Sequence, residues 1–280
     1  MPKTHKLALI ALAVLVAAGA VAAYLYDREG EISYEGGTYS GELHWFTPHG
    51  EGTWTHPDGD RYEGQWEEGR RHGEGTYETA DGLVYEGEFR DNLMHGQGKI
   101  TGPDGFEYEG DFSFGLAHGY GRTVYPEGDI YEGQYREGQK HGDGTYIDPE
   151  GGKYEGEFES DQFHGEGVMI DPGGDKYEGE FKEDRFHGEG VYTSEEGTVY
   201  EGEFEEGRFH GEGKITYPSG ASYEGEFKDD QFHGEGAYIS ADDVKYEGEF
   251  KEGQFHGEGV MTFPDGTTLE GTWEEHEFIE

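Results

Sequence analysis

Ten histidines recur along this chain at a fixed spacing: His49, His72, His95, His118, His141, His164, His187, His210, His233 and His256. Imidazoles with nearby carboxylates suit a zinc site, and paired carboxylates suit glycoside hydrolysis. Either chemistry needs its side chains gathered at one point. If two strands separate successive histidines, equivalent positions lie about 9.6 Å apart. Zinc holds each nitrogen ligand at about 2 Å, so successive histidines cannot share one ion. No metal ligand, cofactor site or catalytic residue is therefore expected. The glutamate pairs recur in nearly every copy, whereas an active site needs one singular constellation. The sequence also contains no Gly-x-Ser-x-Gly, His-Glu-x-x-His or phosphate-binding loop, so the expectation is a protein that is not an enzyme.

The histidines belong to a longer repeat. Tyr39, Tyr62, Tyr85, Tyr108, Tyr131, Tyr154, Tyr177, Tyr200, Tyr223 and Tyr246 open ten units of 23 residues, and Leu269 opens a truncated one. With the opening Tyr as position 1, positions 1, 3 and 5 are Tyr, Gly and an aromatic residue, and positions 2 and 4 are mostly Glu. Positions 11 to 14 read His-Gly-Glu-Gly in most units, and position 16 is often Tyr. Alternation of period two predicts strands, and no helical period appears after residue 30. Position 8 is Gly, Asp or Asn in nine units and position 21 is Gly in nine, with Asp243 the exception. These residue types tolerate positive φ and mark hairpin connections.

A register follows. A four-residue loop at positions 6–9 sets Phe158 against Phe163, Glu157 against His164, Gly156 against Gly165, Tyr154 against Gly167 and Glu155 against Glu166. A five-residue loop between units sets Tyr192 beside Tyr200 and Tyr238 beside Tyr246. The fold class is all-β: an elongated, single-layer antiparallel meander of tandem hairpins, about twenty strands long, in which each unit touches its neighbours. Rings and glycines share one face, carboxylates and imidazoles the other.

The chain carries 64 Asp and Glu against 20 Lys and Arg, a formal charge of −44. Such a surface repels nucleic acid and anionic lipid, so neither is expected to bind the repeats. It admits a basic protein, a neutral ligand or a second copy of the chain as a homodimer. Acidic residues occupy positions 2, 4 and 13 in nine, eight and eight units. Crowding should raise their pKa values and favour a higher melting temperature near pH 5 than near pH 8. A halophilic habitat is a second explanation for the acidity. There is no cysteine.

Residues 7–26 are uncharged and rich in Ala, Leu and Val, with Lys3 and Lys6 before them. Twenty such residues span about 30 Å as a helix, the depth of a bilayer core. The organisation expected is 1–6 as a cytoplasmic n-region, 7–26 as a transmembrane helix or signal anchor, 27–38 as a linker and degenerate half-unit, 39–268 as ten repeats, and 269–280 as a truncated cap. The positive-inside rule sets the repeats on the periplasmic or extracellular side of a single-pass membrane protein. The competing reading is a cleaved leader, for which Ala18-Gly19-Ala20 and Ala20-Val21-Ala22 offer small-residue sites, leaving a periplasmic or secreted protein.

Tyr-Glu-Gly-Glu-Phe, a Gly or Asp turn, His-Gly-Glu-Gly and a closing Asp-Gly resemble the MORN (membrane occupation and recognition nexus) repeat. Matching positions include Tyr177, Gly179, Phe181, His187, Gly188 and Gly190. The resemblance covers 39–268 and part of 269–280. It implies an elongated, twisted hairpin sheet and a role in scaffolding, tethering or assembly, with lipid contact proposed for some members and protein binding in an aromatic groove for others. The carboxylates here disfavour lipid headgroups, so the membrane link falls to 7–26.

Two surfaces are candidates. The aromatic groove comprises Tyr154, Phe158, Phe163, Tyr177, Phe181, Phe186, Tyr200, Phe204, Phe209, Tyr223, Phe227, Phe232, Tyr246, Phe250 and Phe255. Position 10 is Phe in the last five units only, so the stripe is richer there. The acidic and His face comprises Glu155, Glu157, His164, Glu166, Glu178, Glu180, His187 and Glu189. The function expected is a membrane-anchored scaffold or tether binding proteins through one of these surfaces. The alternative is a cell-wall or carbohydrate-binding module that stacks sugars on the rings.

Overall fold

Alternating residues become strands here because one side of each strand has rings to bury and the other has charges to hydrate. The computed structural model describes residues 27–280. The helix expected over 7–26 lies outside the described residues. Among the described residues there are twenty-three strands and no helix, and therefore no helix long and apolar enough to cross a membrane.

The chain divides into two units, each an open antiparallel meander. The first holds residues 27–126 with 136–138; the second holds 127–135 with 139–280. In the first, strands from β1 (Asp27–Tyr34) to β9 (Leu116–Val124) pair with their successors in the chain. The second opens with β10 (Ile130–Arg136), and from β11 (Gln139–Ile147) to β23 (Glu277–Phe278) each strand again pairs with the next.

Residues 27–38 are more than the expected linker and partial unit. β1 is a regular strand paired one for one with β2 (Gly37–His44), from Asp27↔His44 to Tyr34↔Gly37. Glu35 and Gly36 close that hairpin, both at positive φ. The cap of 269–280 supplies β22 (Thr268–Glu274) and the two-residue β23.

The hairpin between β12 (Lys153–Glu159) and β13 (Gln162–Ile170) shows the repeated design. Phe158 faces Phe163 and Glu157 faces His164, as the alternation predicts. The loop is tighter than expected: Glu159 pairs with Gln162, so only positions 7 and 8 turn. Both have positive φ, at Ser160 and Asp161, and the same holds at Glu183-Asp184, Asp229-Asp230 and Glu206-Gly207. Two left-handed residues give the primed turn whose twist matches the flanking strands.

Beyond Glu157 the expected register fails. Gly156 pairs with Gly167 rather than Gly165, Tyr154 with Met169 rather than Gly167, and Glu155 with Val168 rather than Glu166. Gly165 adopts φ +56° and, with Glu166, bulges out of the hairpin. The same shift recurs between Gly179 and Glu180, Gly202 and Glu203, and Gly225 and Glu226. Because two residues bulge rather than one, the alternation of faces survives. In the next pairing both bulged residues rejoin a ladder, Gly165 with Phe181 and Glu166 with Glu180. Position 16 consequently lies between two opening tyrosines. Tyr192 pairs with Tyr177 on one side and with Tyr200 on the other, and Tyr238 pairs with Tyr246 as expected.

The core is a row of tyrosines laid flat on glycine. Of the ten opening tyrosines from Tyr39 to Tyr246, nine are at most 1% exposed and Tyr108 is 3% exposed. A Cβ at Gly213 would lie 2.5 Å from the Tyr200 hydroxyl oxygen, and one at Gly202 would lie 2.5 Å from the Gly213 Cα. Rings and backbone therefore touch where a side chain would stand. Gly213→Ala is expected to destabilise the protein by about 1–3 kcal/mol through overpacking, read as a lower Tm. An unchanged Tm would show that the ring is free to move aside.

Candidate binding surface

Each opening tyrosine is enclosed on every side. Tyr154 stacks on Phe163 at 3.9 Å and 19°, and meets the edges of Phe158 at 5.2 Å and of Phe181 from the next unit at 4.9 Å. Its hydroxyl donates to the Glu157 carbonyl at 2.8 Å, with the His164 carbonyl at 3.3 Å. Those carbonyls flank the bulge, so the phenol supplies a donor where the ladder is interrupted. Tyr177, Tyr200 and Tyr223 repeat both contacts. Burial pushes the Tyr39 and Tyr246 hydroxyls up to about 12. It raises those of Tyr154, Tyr177, Tyr200 and Tyr223 further still.

This geometry sorts the fifteen groove residues into two classes. Tyr154, Phe158, Tyr177, Phe181, Tyr200, Phe204, Tyr223, Phe227, Tyr246 and Phe250 are buried and form the core. Phe163, Phe186, Phe209, Phe232 and Phe255 are half-buried. Each stacks on its tyrosine at 3.8–4.0 Å. These five rings are therefore the more exposed part of the stripe.

Where position 10 is not Phe, a cation can take its place. The Arg71 guanidinium lies 5.7 Å from the Tyr62 ring and 4.7 Å from Tyr77. Lys140 Nζ lies 5.3 Å from Tyr131 and 5.0 Å from Tyr146. Burial lowers the pKa of Lys140. These cation–π lids replace one flat aromatic neighbour by another partner of the ring face. Their sequence signal is a lone Arg or Lys beside the conserved-phase His, at Arg71-His72 and Lys140-His141.

On the opposite face, Glu155, Glu157, Glu166, Glu178, Glu180 and Glu189 are exposed, and His164 and His187 are half-buried. His164 lies across from Glu157, but its ion-pair contact is with Glu159, Nε2 to Oε2 at 3.4 Å. Glu157 instead folds over Gly165, where a Cβ would lie 2.7 Å from its carboxyl carbon. In equivalent units the position-4 carboxylate accepts the position-13 N–H: Glu203 from Glu212 at 3.2 Å and Glu249 from Glu258 at 3.3 Å. The position-4 carboxylates of the acidic ladder thus have an architectural task. Lys153 donates to Glu155 at 2.7 Å and holds its carboxyl below the ordinary range, opposite to the rise expected from crowding.

Turns also lock successive units together. The position-8 N–H donates to the position-10 carbonyl of the preceding unit, as in Asp184 to Phe163 at 3.2 Å and Asp230 to Phe209 at 3.1 Å. The position-8 carboxylate answers by accepting that residue's N–H, Asp184 from Phe163 at 2.8 Å and Asp230 from Phe209 at 2.9 Å. On the other edge, Asp175 accepts from the Tyr192 hydroxyl and from the Glu195 N–H at 2.8 Å. Asp60 does the same with Tyr77 and Ala80. None of these clamps was apparent as a site, because Asp at a turn reads simply as a turn former. Among the described residues no group of three or more His, Asp or Glu side chains converges on a point where a metal ion would sit.

Ten successive cells of tyrosine, glycine floor and bulge thus occupy residues 39–268, and the MORN repeat matches cell by cell: 39–61, 62–84, 85–106, 108–130, 131–153, 154–176, 177–199, 200–222, 223–244 and 246–268. The chain belongs to the MORN repeat family. MORN repeats point to a repeat scaffold or a protein-binding role. Among curated proteins none matches this chain. Among solved structures it is similar to the TCP10 domain of CPAP from Danio rerio, at 11% identity and TM-score 0.24 over 87% of this chain and 99% of that one. The G-box domain of the microcephaly protein CPAP is similar at 12% identity and TM-score 0.24, over 80% and 100%. Virginiamycin B lyase from Staphylococcus aureus follows at 13% and TM-score 0.15, over 88% and 74%.

Two predictions follow from the tyrosine and aspartate contacts. Tyr200→Phe removes the donor to the Glu203 carbonyl and should cost about 1–3 kcal/mol, read by chemical denaturation, with the stacked Phe209 left in place. Asp60 and Asp175 are held below their usual value of 3.8 by the Tyr77 and Tyr192 hydroxyls and by backbone N–H groups. A lowered folded constant stabilises above the unfolded value and ceases to do so as pH falls through the folded one. The buried tyrosines act oppositely: their raised constants stabilise below the usual 10, and this is lost as pH rises through about 12 for Tyr39 and Tyr246. Melting temperature should therefore fall below pH 4 and above pH 10. Tyrosinate absorbance should appear together with loss of the β circular dichroism. Ionisation without unfolding would contradict the burial.

Proposed function

We propose that this MORN protein is a membrane-anchored, non-enzymatic scaffold that binds partner proteins along its Phe stripe, with the acidic face favouring basic partners. The observation that carries this reading is the run of Phe163, Phe186, Phe209, Phe232 and Phe255, each half-buried with one ring face turned away from its tyrosine. Repeated aromatic positions on a rigid sheet suit an extended peptide, whose alternate side chains meet successive rings. Rigid aromatic anchors commonly carry most of the energy at protein interfaces. The repetition itself favours a surface over a catalytic centre. The apolar run of residues 7–26, preceded by Lys3 and Lys6, supports anchoring with the repeats outside the cytoplasm.

The test is capture of partners from crosslinked envelopes with the full chain and with a Phe209→Ala, Phe232→Ala variant. A discrete partner recovered by the native chain and depleted by the variant is the expected result. Recovery of no partner under several growth conditions, or equal recovery by both chains, would sink the stripe as the binding surface. Mass spectrometry of the same captured chain reads its N-terminus, and loss of residues 7–26 would replace the anchor with a released protein.

A further inference from the structure

Neighbouring hairpin turns leave a notch between them. One unit contributes positions 6, 7, 9 and 11, and the next contributes its turn tip. The notch recurs at Lys228, Asp229, Gln231, His233, Glu252 and Gln254, where every wall is polar. It recurs at His44, Trp45, Thr47, Pro48 and His49, closed by Glu67 and Glu68. A third copy, of about 260 Å³, is walled by Arg90, Asp91, Leu93, His95 and Phe114.

This third notch departs from the pattern in two ways at once. Leu93 stands where Gln231 stands elsewhere, and Phe114 stands where Glu252 stands. Both are exposed, Leu93 by 44% and Phe114 by 79%. A Cβ on Gly115 would lie 3.7 Å from Leu93 Cδ2, so Leu93 rests against the tip that carries Phe114. Secondly, the acid beside its cation is already engaged. Asp91, the one acid in the walls, is engaged by Arg70 at 2.7 Å. The acids of the equivalent polar notch include Glu252 and Asp229, and Asp229 is itself held by Arg208 at 3.0 Å.

We infer that this notch receives the C-terminal residue of a partner protein, with its carboxylate on Arg90 and His95 and its apolar side chain between Leu93 and Phe114. The charge argument is local. A guanidinium presents paired donors that match a carboxylate, and an imidazole N–H adds another. The acidic field of the rest of the chain opposes a carboxylate, but salt screens it beyond about 8 Å at physiological ionic strength. The volume suits one residue rather than a larger ligand, since ordinary ligand pockets start at roughly 300 Å³. The inference rests on the protein-binding reading but uses a different surface. Substitution of Phe209 and Phe232 leaves the notch intact, so either idea can fail alone.

The experiment uses the full chain in detergent and titrates it with N-acetylleucine, N-acetylleucinamide, N-acetylglycine and octanoate, followed by NMR of the small molecules. N-acetylleucine should bind, and the amide and the glycine derivative should bind at least about tenfold more weakly, the scale of one charge-assisted hydrogen bond or one buried side chain. Arg90→Gln should remove the preference for carboxylate over amide, and Phe114→Ser the preference for leucine over glycine. Gln254→Ala, in the polar copy of the notch, should change neither. Equal binding of acid and amide, no binding of N-acetylleucine, or unchanged selectivity in both variants overturns the proposal. Tighter binding of octanoate than of N-acetylleucine overturns it in favour of a fatty acid.

Discussion

The contact on which this structure depends is a tyrosine hydroxyl donated into a β-bulge. A bulge interrupts the ladder and leaves backbone carbonyls facing an apolar core, where an unpaired acceptor costs about 1–3 kcal/mol. The opening tyrosine of each unit reaches that point, as Tyr154 reaches Glu157 at 2.8 Å, while its ring lies on Gly167. The bulge needs the hydroxyl, the ring needs a floor without side chains, and the floor is provided by glycine. One residue type at three places thereby specifies the local geometry of a whole hairpin.

From this cell the rest of the architecture follows by succession. A one-layer sheet has no second layer to cover its rings, so each ring is covered by its neighbours. Tyr200 lies between Phe204 of its own unit and Phe227 of the next, beneath Phe209. Turn contacts such as Asp230 with Phe209 bind the same successive units at the hairpin tips. Stability in such an array is carried by nearest-neighbour interfaces, and no cell closes its core alone. Little of the aromatic surface remains for recognition. It is confined to the outer faces of the position-10 rings and to the few places where the pattern breaks.

Those breaks carry information that a repeat by itself does not. Arg71 and Lys140 replace the stacking Phe by a cation over the tyrosine, which keeps the core covered while altering what a partner meets. Leu93 and Phe114 place apolar groups at a turn edge that is polar in the copy around Lys228 and Gln254. Repetition supplies the scaffold, and departures from it supply the local chemistry that differs from unit to unit.

The sequence by itself determined the strands, their faces and the pairing nearest each turn, because a one-residue slip from the Phe158–Phe163 pairing would put every side chain on the wrong face. It also determined the pairing of Tyr192 with Tyr200 between units. It could not reveal that Gly165 and Glu166 bulge, since glycine reads equally as a ring's neighbour and as a left-handed residue. Nor could it divide the fifteen aromatic candidates into ten that are buried and five that are half-exposed. That division is decided by which rings meet edge-on from the next unit, a relation between residues 27 positions apart, as in Tyr154 with Phe181 and Tyr177 with Phe204. Likewise, Glu157 looked like part of a solvated face until its backbone neighbours showed it folded over the bulge. Period and polarity are local properties of the chain, whereas burial and hydrogen-bond partners are settled only when neighbouring units pack.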